Sequence, residues 1–155
     1  MNPDHDVTVA IPRRWATRAD LDHGIVVAAR ATAVPRSGFL PEIVLRSVAV
    51  ATDLDVWRDD AMTALSTQLD GFEVEDSDEF ELGGRPADYR RFAHRVGPTE
   101  VICDQWAWLV DGVGVTLTAS VAREDYADYC DLFEDVAATV SVAAPGSARR
   151  DAARW

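Results

Sequence analysis

The stretch "FELGGRPADYRRF", Phe80 to Phe92, decides the fold. Two adjacent glycines followed by Arg85 have the letters of either a phosphate-binding loop or a tight hairpin. A phosphate loop aims several backbone N–H groups at an anion, usually where a helix begins. Here Gly84 is followed by Arg85, Pro86 and a strand-like run, so no helix opens. Neither G-x-x-x-x-G-K-[ST] nor G-x-G-x-x-G occurs, and the chain contains no lysine to reach a phosphate. Two glycines do supply the positive φ angles that a two-residue hairpin demands. The pair is therefore predicted to turn one strand into the next.

Downstream, "PADYRRFAHRV", "EVICDQWAWLV" and "GVGVTLTASVA" read as three long strands, punctuated at Gly97-Pro98 and Asp111-Gly112. Turns about ten residues apart describe an antiparallel meander. Upstream, "FEVED" and "EFELG" place Phe72, Val74, Phe80 and Leu82 on alternate positions between acids. Still earlier, "VTVAIP" from Val7, "GIVVAARATAV" from Gly24 and "PEIVLRSVAVA" from Pro41 are strand-like runs.

Between Thr52 and Leu69 the period changes. Leu54, Trp57, Ala61, Leu65 and Leu69 recur at helical spacing and predict one apolar helix face. Thr52 with Asp55 predicts a capping box, and Gly71 a left-handed stop. A second helix is expected from Arg123 to Val140, its apolar stripe made of Tyr126, Tyr129, Cys130, Phe133, Val136, Ala137 and Val140. Strands, helix, antiparallel strands, helix: the order predicts an α+β fold, a mostly antiparallel sheet packed with two main helices. One domain over residues 1–142 is expected, with "APGSARRDAARW" belonging to a loose tail over 143–155.

A resemblance runs through the same turns. The Gly71-Phe72 pair closing the helix, "GGRPA" at Gly83 to Ala87, and "VTLTAS" at Val115 to Ser120 resemble the LpqN lipoprotein family of actinobacteria. "FLPEIVLRS", Phe39 to Ser47, is similar to that family's F-x-P-N-I-V strand, with Glu42 where Asn is usual. The likeness covers roughly Val7 to Val142 and extends to the wider superfamily of PsbP, DcrB and the Ran-binding Mog protein. It implies an α/β/α sandwich that binds other proteins, or small ligands, without catalysis. The family's lipobox cysteine has no counterpart here, so surface anchoring is not carried over.

Charge narrows the partners. The formal net charge is −12, with every basic residue an arginine, which disfavours nucleic acid and anionic membrane and suits a basic partner. The first residues, "MNPDHDVTVAIPRRW", lack a basic start and a long apolar core, so they do not read as a secretion signal. No apolar run is long enough to span a membrane. A cytoplasmic protein is expected.

Chemical constellations are sparse. His5 lies between two aspartates, but adjacent residues converge poorly on one metal ion. His23 and His94 accompany no nucleophile motif and read as solvent-facing. "EDSDEFE", Glu75 to Glu81, is dense in acids but lacks the D-x-D-x-D-G order of a calcium loop, so it reads as a solvated strand face. Cys103 and Cys130 form no C-x-x-C and are expected as reduced thiols. No catalytic residue, metal or cofactor is expected. The aromatic pair Trp106 and Trp108, two apart on one strand face, reads as core covered by a helix, taken to be the one that carries Trp57. Should a recognition patch exist, it is sought at Trp106, Trp108, Tyr89 and Trp57.

The expected function is a non-enzymatic protein-interaction module, an adaptor or chaperone-like protein associated with secretion. The alternatives are a small-ligand carrier with an aromatic-lined pocket and an acidic immunity-type inhibitor of a basic toxin.

Overall fold

The structure, a computed structural model, describes residues 6–143. His5 and the expected tail from Ala144 onward lie outside the described residues. Seven strands form one antiparallel sheet in the order β2-β3-β4-β8-β7-β6-β5. In chain order these are β2 (Ala16–Asp20), β3 (Ile25–Arg30), β4 (Glu42–Ala49), β5 (Glu73–Leu82), β6 (Arg85–Val96), β7 (Thr99–Val110) and β8 (Val113–Ala122). The meander from β5 to β8 turns at the three expected places. Leu82 pairs with Arg85, Val96 with Thr99 and Val110 with Val113, which leaves two-residue loops. Gly83 and Gly84 sit at φ 62° and 76°, the conformation that motivated the hairpin reading. Val74 and Phe80 do not begin separate strands. β5 is continuous, with a register shift between Val74 and Asp76.

Helices α1 (Leu54–Gln68) and α2 (Tyr126–Ala138) pack on opposite faces of the sheet, which makes an α/β/α sandwich. Strand periodicity explains the two faces. On β7 and β8, Trp106, Trp108, Val115, Leu117 and Val121 point to α2, where they meet Phe133, Val136, Ala137 and Val140. Cys103 and Val101, with Phe92 of β6, belong to a second cluster with Met62, Leu65 and Leu69 of α1. Two short strands pair antiparallel beside the main sheet: β1 (Asp6–Thr8), the start of the expected run from Val7, and β9 (Ser141–Ala143), which the alternation missed.

Three local expectations need correction. Asp53, not Thr52, caps α1, its carboxylate accepting from the Val56 N–H at 2.9 Å. The helix face is also rotated by one residue. Arg58 and Met62 are its buried positions, while Trp57, Ala61 and Leu65 are half-buried along its flank. Trp106 and Trp108 are indeed core, at 3% and 2% exposure, but α2 covers them and not the helix that carries Trp57.

Candidate functional site

The displaced face of α1 opens a groove. A cavity of about 630 Å³ lies between α1, strand β4 and the 3-10 turn Leu21–His23, with Gln105 and Thr116 on its floor. Its walls are apolar. Trp57, Ala61, Ala64 and Leu65 line the helix side, and the exposed Leu21 and Val48 line the opposite side. Gly114 fixes the tryptophan: a Cβ there would stand 2.6 Å from the Trp57 ring, so the indole lies over bare backbone.

The floor is polar and positively biased. Arg58 is 1% exposed, yet it carries a guanidinium. Its Nε donates to Asp88 at 3.4 Å and an Nη2 donates to Gln105. Arg90 also holds Asp88, at 3.2 Å, and reaches Asp59 at 3.3 Å. One buried carboxylate thus serves two guanidiniums. Burial lowers the Arg58 pKa, opposed by Asp88, and an arginine so placed stays charged. The guanidinium also sits 5.1 Å from the Trp57 ring centroid, a cation–π contact. Arg46, exposed on β4, adds a second cation, and the lining includes one carboxylate, Asp22. His23 stands at the rim, exposed as expected and bonded to Asp20 at 2.8 Å.

The α2 face holds a different polar cluster. Asp104 is 2% exposed and accepts hydrogen bonds from Tyr89 Oη at 2.6 Å and from Tyr126 Oη at 3.0 Å. Burial raises the Asp104 pKa, while the two hydroxyl bonds and the nearby Arg91 pull it back. The Tyr89 and Tyr126 hydroxyls are pushed up as well, chiefly by burial. The cluster ties β6, β7 and the first residue of α2 together. Phenols made less acidic and locked onto a carboxylate supply neither nucleophile nor free base, so this geometry braces the fold.

The sequence candidates therefore separate. Tyr89 and Trp106 do meet, with ring centroids 5.3 Å apart, and they back a cleft of about 300 Å³ mouthed by Asp76, Asp78, Phe80 and Glu134. Trp108 lies deeper in the α2 core. Trp57 is on the other side of the sheet, in the groove. Arg58 was missed altogether, because a charged residue within an apolar repeat reads as solvent-facing. The nearby Asp88 and Gln105, which hold it, give no local sequence signal. His94 is half-buried and not solvent-facing, and burial lowers its pKa. Cys103 faces α1 and Cys130 sits on α2, so the sheet separates them. Both are free thiols, and burial pushes that of Cys103 up to about 12.

No protein-family model matches the sequence, and no curated protein matches it. Solved structures do match. The LpqN protein of Mycobacterium tuberculosis, described as involved in cell envelope biogenesis, has a TM-score of 0.71 at 14% identity, over 92% of this chain and 86% of that one. The cyanobacterial PsbP of Synechocystis has 0.65 at 14% identity, over 90% and 93%. The chain has the PsbP-like fold. A Pseudomonas aeruginosa protein of unknown function, at TM-score 0.68 and 13% identity over 87% and 96%, shares it. At such identities the PsbP-like likeness concerns the backbone, and side chains at the groove must be argued from this chain alone.

Proposed function

We propose that the chain is a non-enzymatic interaction module of LpqN type, an adaptor or chaperone-like protein whose partner is basic. The observation that carries this reading is strand β5. It ends the sheet, so the outer edge of its ladder is unpaired among the described residues. Every residue from Glu73 to Glu81 is exposed, and Glu73, Glu75, Asp76, Asp78, Glu79 and Glu81 bring six carboxylates to ten residues. Such an edge repels a second copy of itself, because like charges across a strand pair are unfavourable. A basic extended segment meets no such barrier and could add as a further strand. Behind the edge, the cleft backed by Tyr89 and Trp106 gathers acids and aromatic rings around the chain's own Arg91, a setting suited to further basic side chains. Trp108, two residues on along β7, faces the same side from within the core. We place the protein in the cytoplasm, in keeping with its two unpaired thiols, and cell fractionation checks that placement.

Co-purification from native extract, repeated with the Glu79→Lys/Glu81→Lys double variant, tests the reading. A basic partner captured by the wild type and lost by the variant supports it. A substrate turned over, with no partner recovered, contradicts it. A second reading, a small-ligand carrier, is favoured by the groove beside Trp57.

A further inference from the structure

We infer that the α1 groove binds a small amphiphile whose head is a carboxylate or phosphate monoester and whose apolar body lies along Trp57. The inference rests on the carrier reading and names its ligand chemistry. Its starting point is the donor inventory of Arg58. A guanidinium has five N–H donors. Two bonds account for its partners among the described residues, one long to Asp88 and one to Gln105. The remaining donors belong to a side chain that water hardly reaches. Buried donors without acceptors are costly, and a guanidinium lining a cavity is built to receive an oxyanion.

The neighbours agree. Asp88 cannot neutralise Arg58 alone, because Arg90 draws on the same carboxylate. Arg46 makes no ion pair among the described residues. It stands directly across the ladder from Thr116, whose hydroxyl makes no hydrogen bond among the described residues. Arg46, Thr116 and Gln105 lie on three successive strands, β4, β8 and β7, so the polar floor spans about 10 Å at ordinary strand spacing. Arg58 reaches that floor from above. In a chain of net charge −12, a cavity with two arginines and one rim carboxylate is a local inversion of sign.

Above this floor the two side walls are largely apolar. Trp57, Ala61 and Leu65 form one wall, while Leu21 and Val48 leave 70% and 48% of their surfaces in water. An acyl or aryl body would cover both. A cavity of about 630 Å³ is in the small-molecule range and too confined for a folded partner.

The full chain is titrated calorimetrically with octanoate, octyl phosphate and the uncharged octyl glucoside, below their micelle concentrations. Octanoate or octyl phosphate should bind saturably, and the better of the two identifies the head group. Octyl glucoside should bind at least tenfold more weakly. Arg58→Met should lower the anion's affinity tenfold or more, and Arg46→Glu, at an exposed site that folding does not need, should do so too. Equal binding of octyl glucoside and octanoate would overturn the anion claim and leave the carrier reading standing. Silence from all three amphiphiles would remove both. Unchanged affinity in the folded Arg46→Glu variant would overturn the placement of the head group.

Discussion

The two faces of one sheet differ in kind, although the same strands build both. Toward α2, Ile43, Leu45, Trp108, Val115, Leu117 and Val121 are at most 2% exposed, and the buried carboxylate among them, Asp104, is satisfied by two tyrosines. Toward α1, those strands and β6 present an apolar cluster of Phe92, Val101 and Cys103 at one end and Arg46, Asp88, Arg90, Gln105, Thr116 and Thr118 at the other, where the helix seats an arginine. Alternation lets each strand carry two chemistries. The α2 face concentrates the apolar burial that holds the fold, which frees the α1 face to be polar and grooved. Stability and binding should therefore respond to different residues.

Phe133→Ala, in the centre of the α2 face and wholly buried, should cost the most, about 3–5 kcal/mol by urea unfolding. Octanoate affinity of the molecules that remain folded should not change, and a parallel loss of both would erase the distinction between faces. Asp104→Ala comes next, at about 2–3 kcal/mol, because the buried Tyr89 hydroxyl and that of Tyr126 lose their acceptor.

The same carboxylate gives a pH test. Its pKa is raised in the fold, so the folded state holds that proton more tightly than the unfolded chain does. The contribution is then present in acid and is lost as pH rises through the folded pKa. The stability difference between wild type and Asp104→Asn should accordingly shift against the wild type as pH rises through the carboxylate range. An increase in its favour would mean that the tyrosine bonds outweigh burial.

Gly114→Ala should cost about 1–3 kcal/mol by pressing a methyl group into the Trp57 ring and Val50. It should also shift tryptophan emission, since the indole must move. At the bottom of the scale, Glu79→Lys/Glu81→Lys on the exposed edge should change stability by no more than about 0.5 kcal/mol while removing capture of a basic partner.

How far these features were legible in the sequence follows the same division. The hairpins were readable because Gly83-Gly84 and Asp111-Gly112 carry a local steric requirement that no distant residue alters. The burial of Trp106 and Trp108 was readable from alternation, since both faces of a central strand are covered. Which helix covers them was not, because that depends on the side of the sheet each connection crosses. β2 stayed hidden: it is a sheet edge, exposed at four of its five residues, and shows no alternation. β9 is three residues long and owes its pairing to β1, at the far end of the chain. The groove was hidden for a different reason. Its centre is a buried Arg58 that hydropathy assigns to solvent, and its partners Asp88 and Gln105 lie 30 and 47 residues away.

The central claim, that the small ligand enters the α1 groove and leaves the α2 core undisturbed, is tested most directly by the indole N–H spectrum of the full chain during an octanoate titration. Tryptophan-to-phenylalanine variants assign the signals of Trp15, Trp57, Trp106, Trp108 and Trp155. A saturable shift of Trp57, with Trp106 and Trp108 unmoved, is the expected result. Shifts at Trp106 and Trp108 with Trp57 stationary would contradict the account.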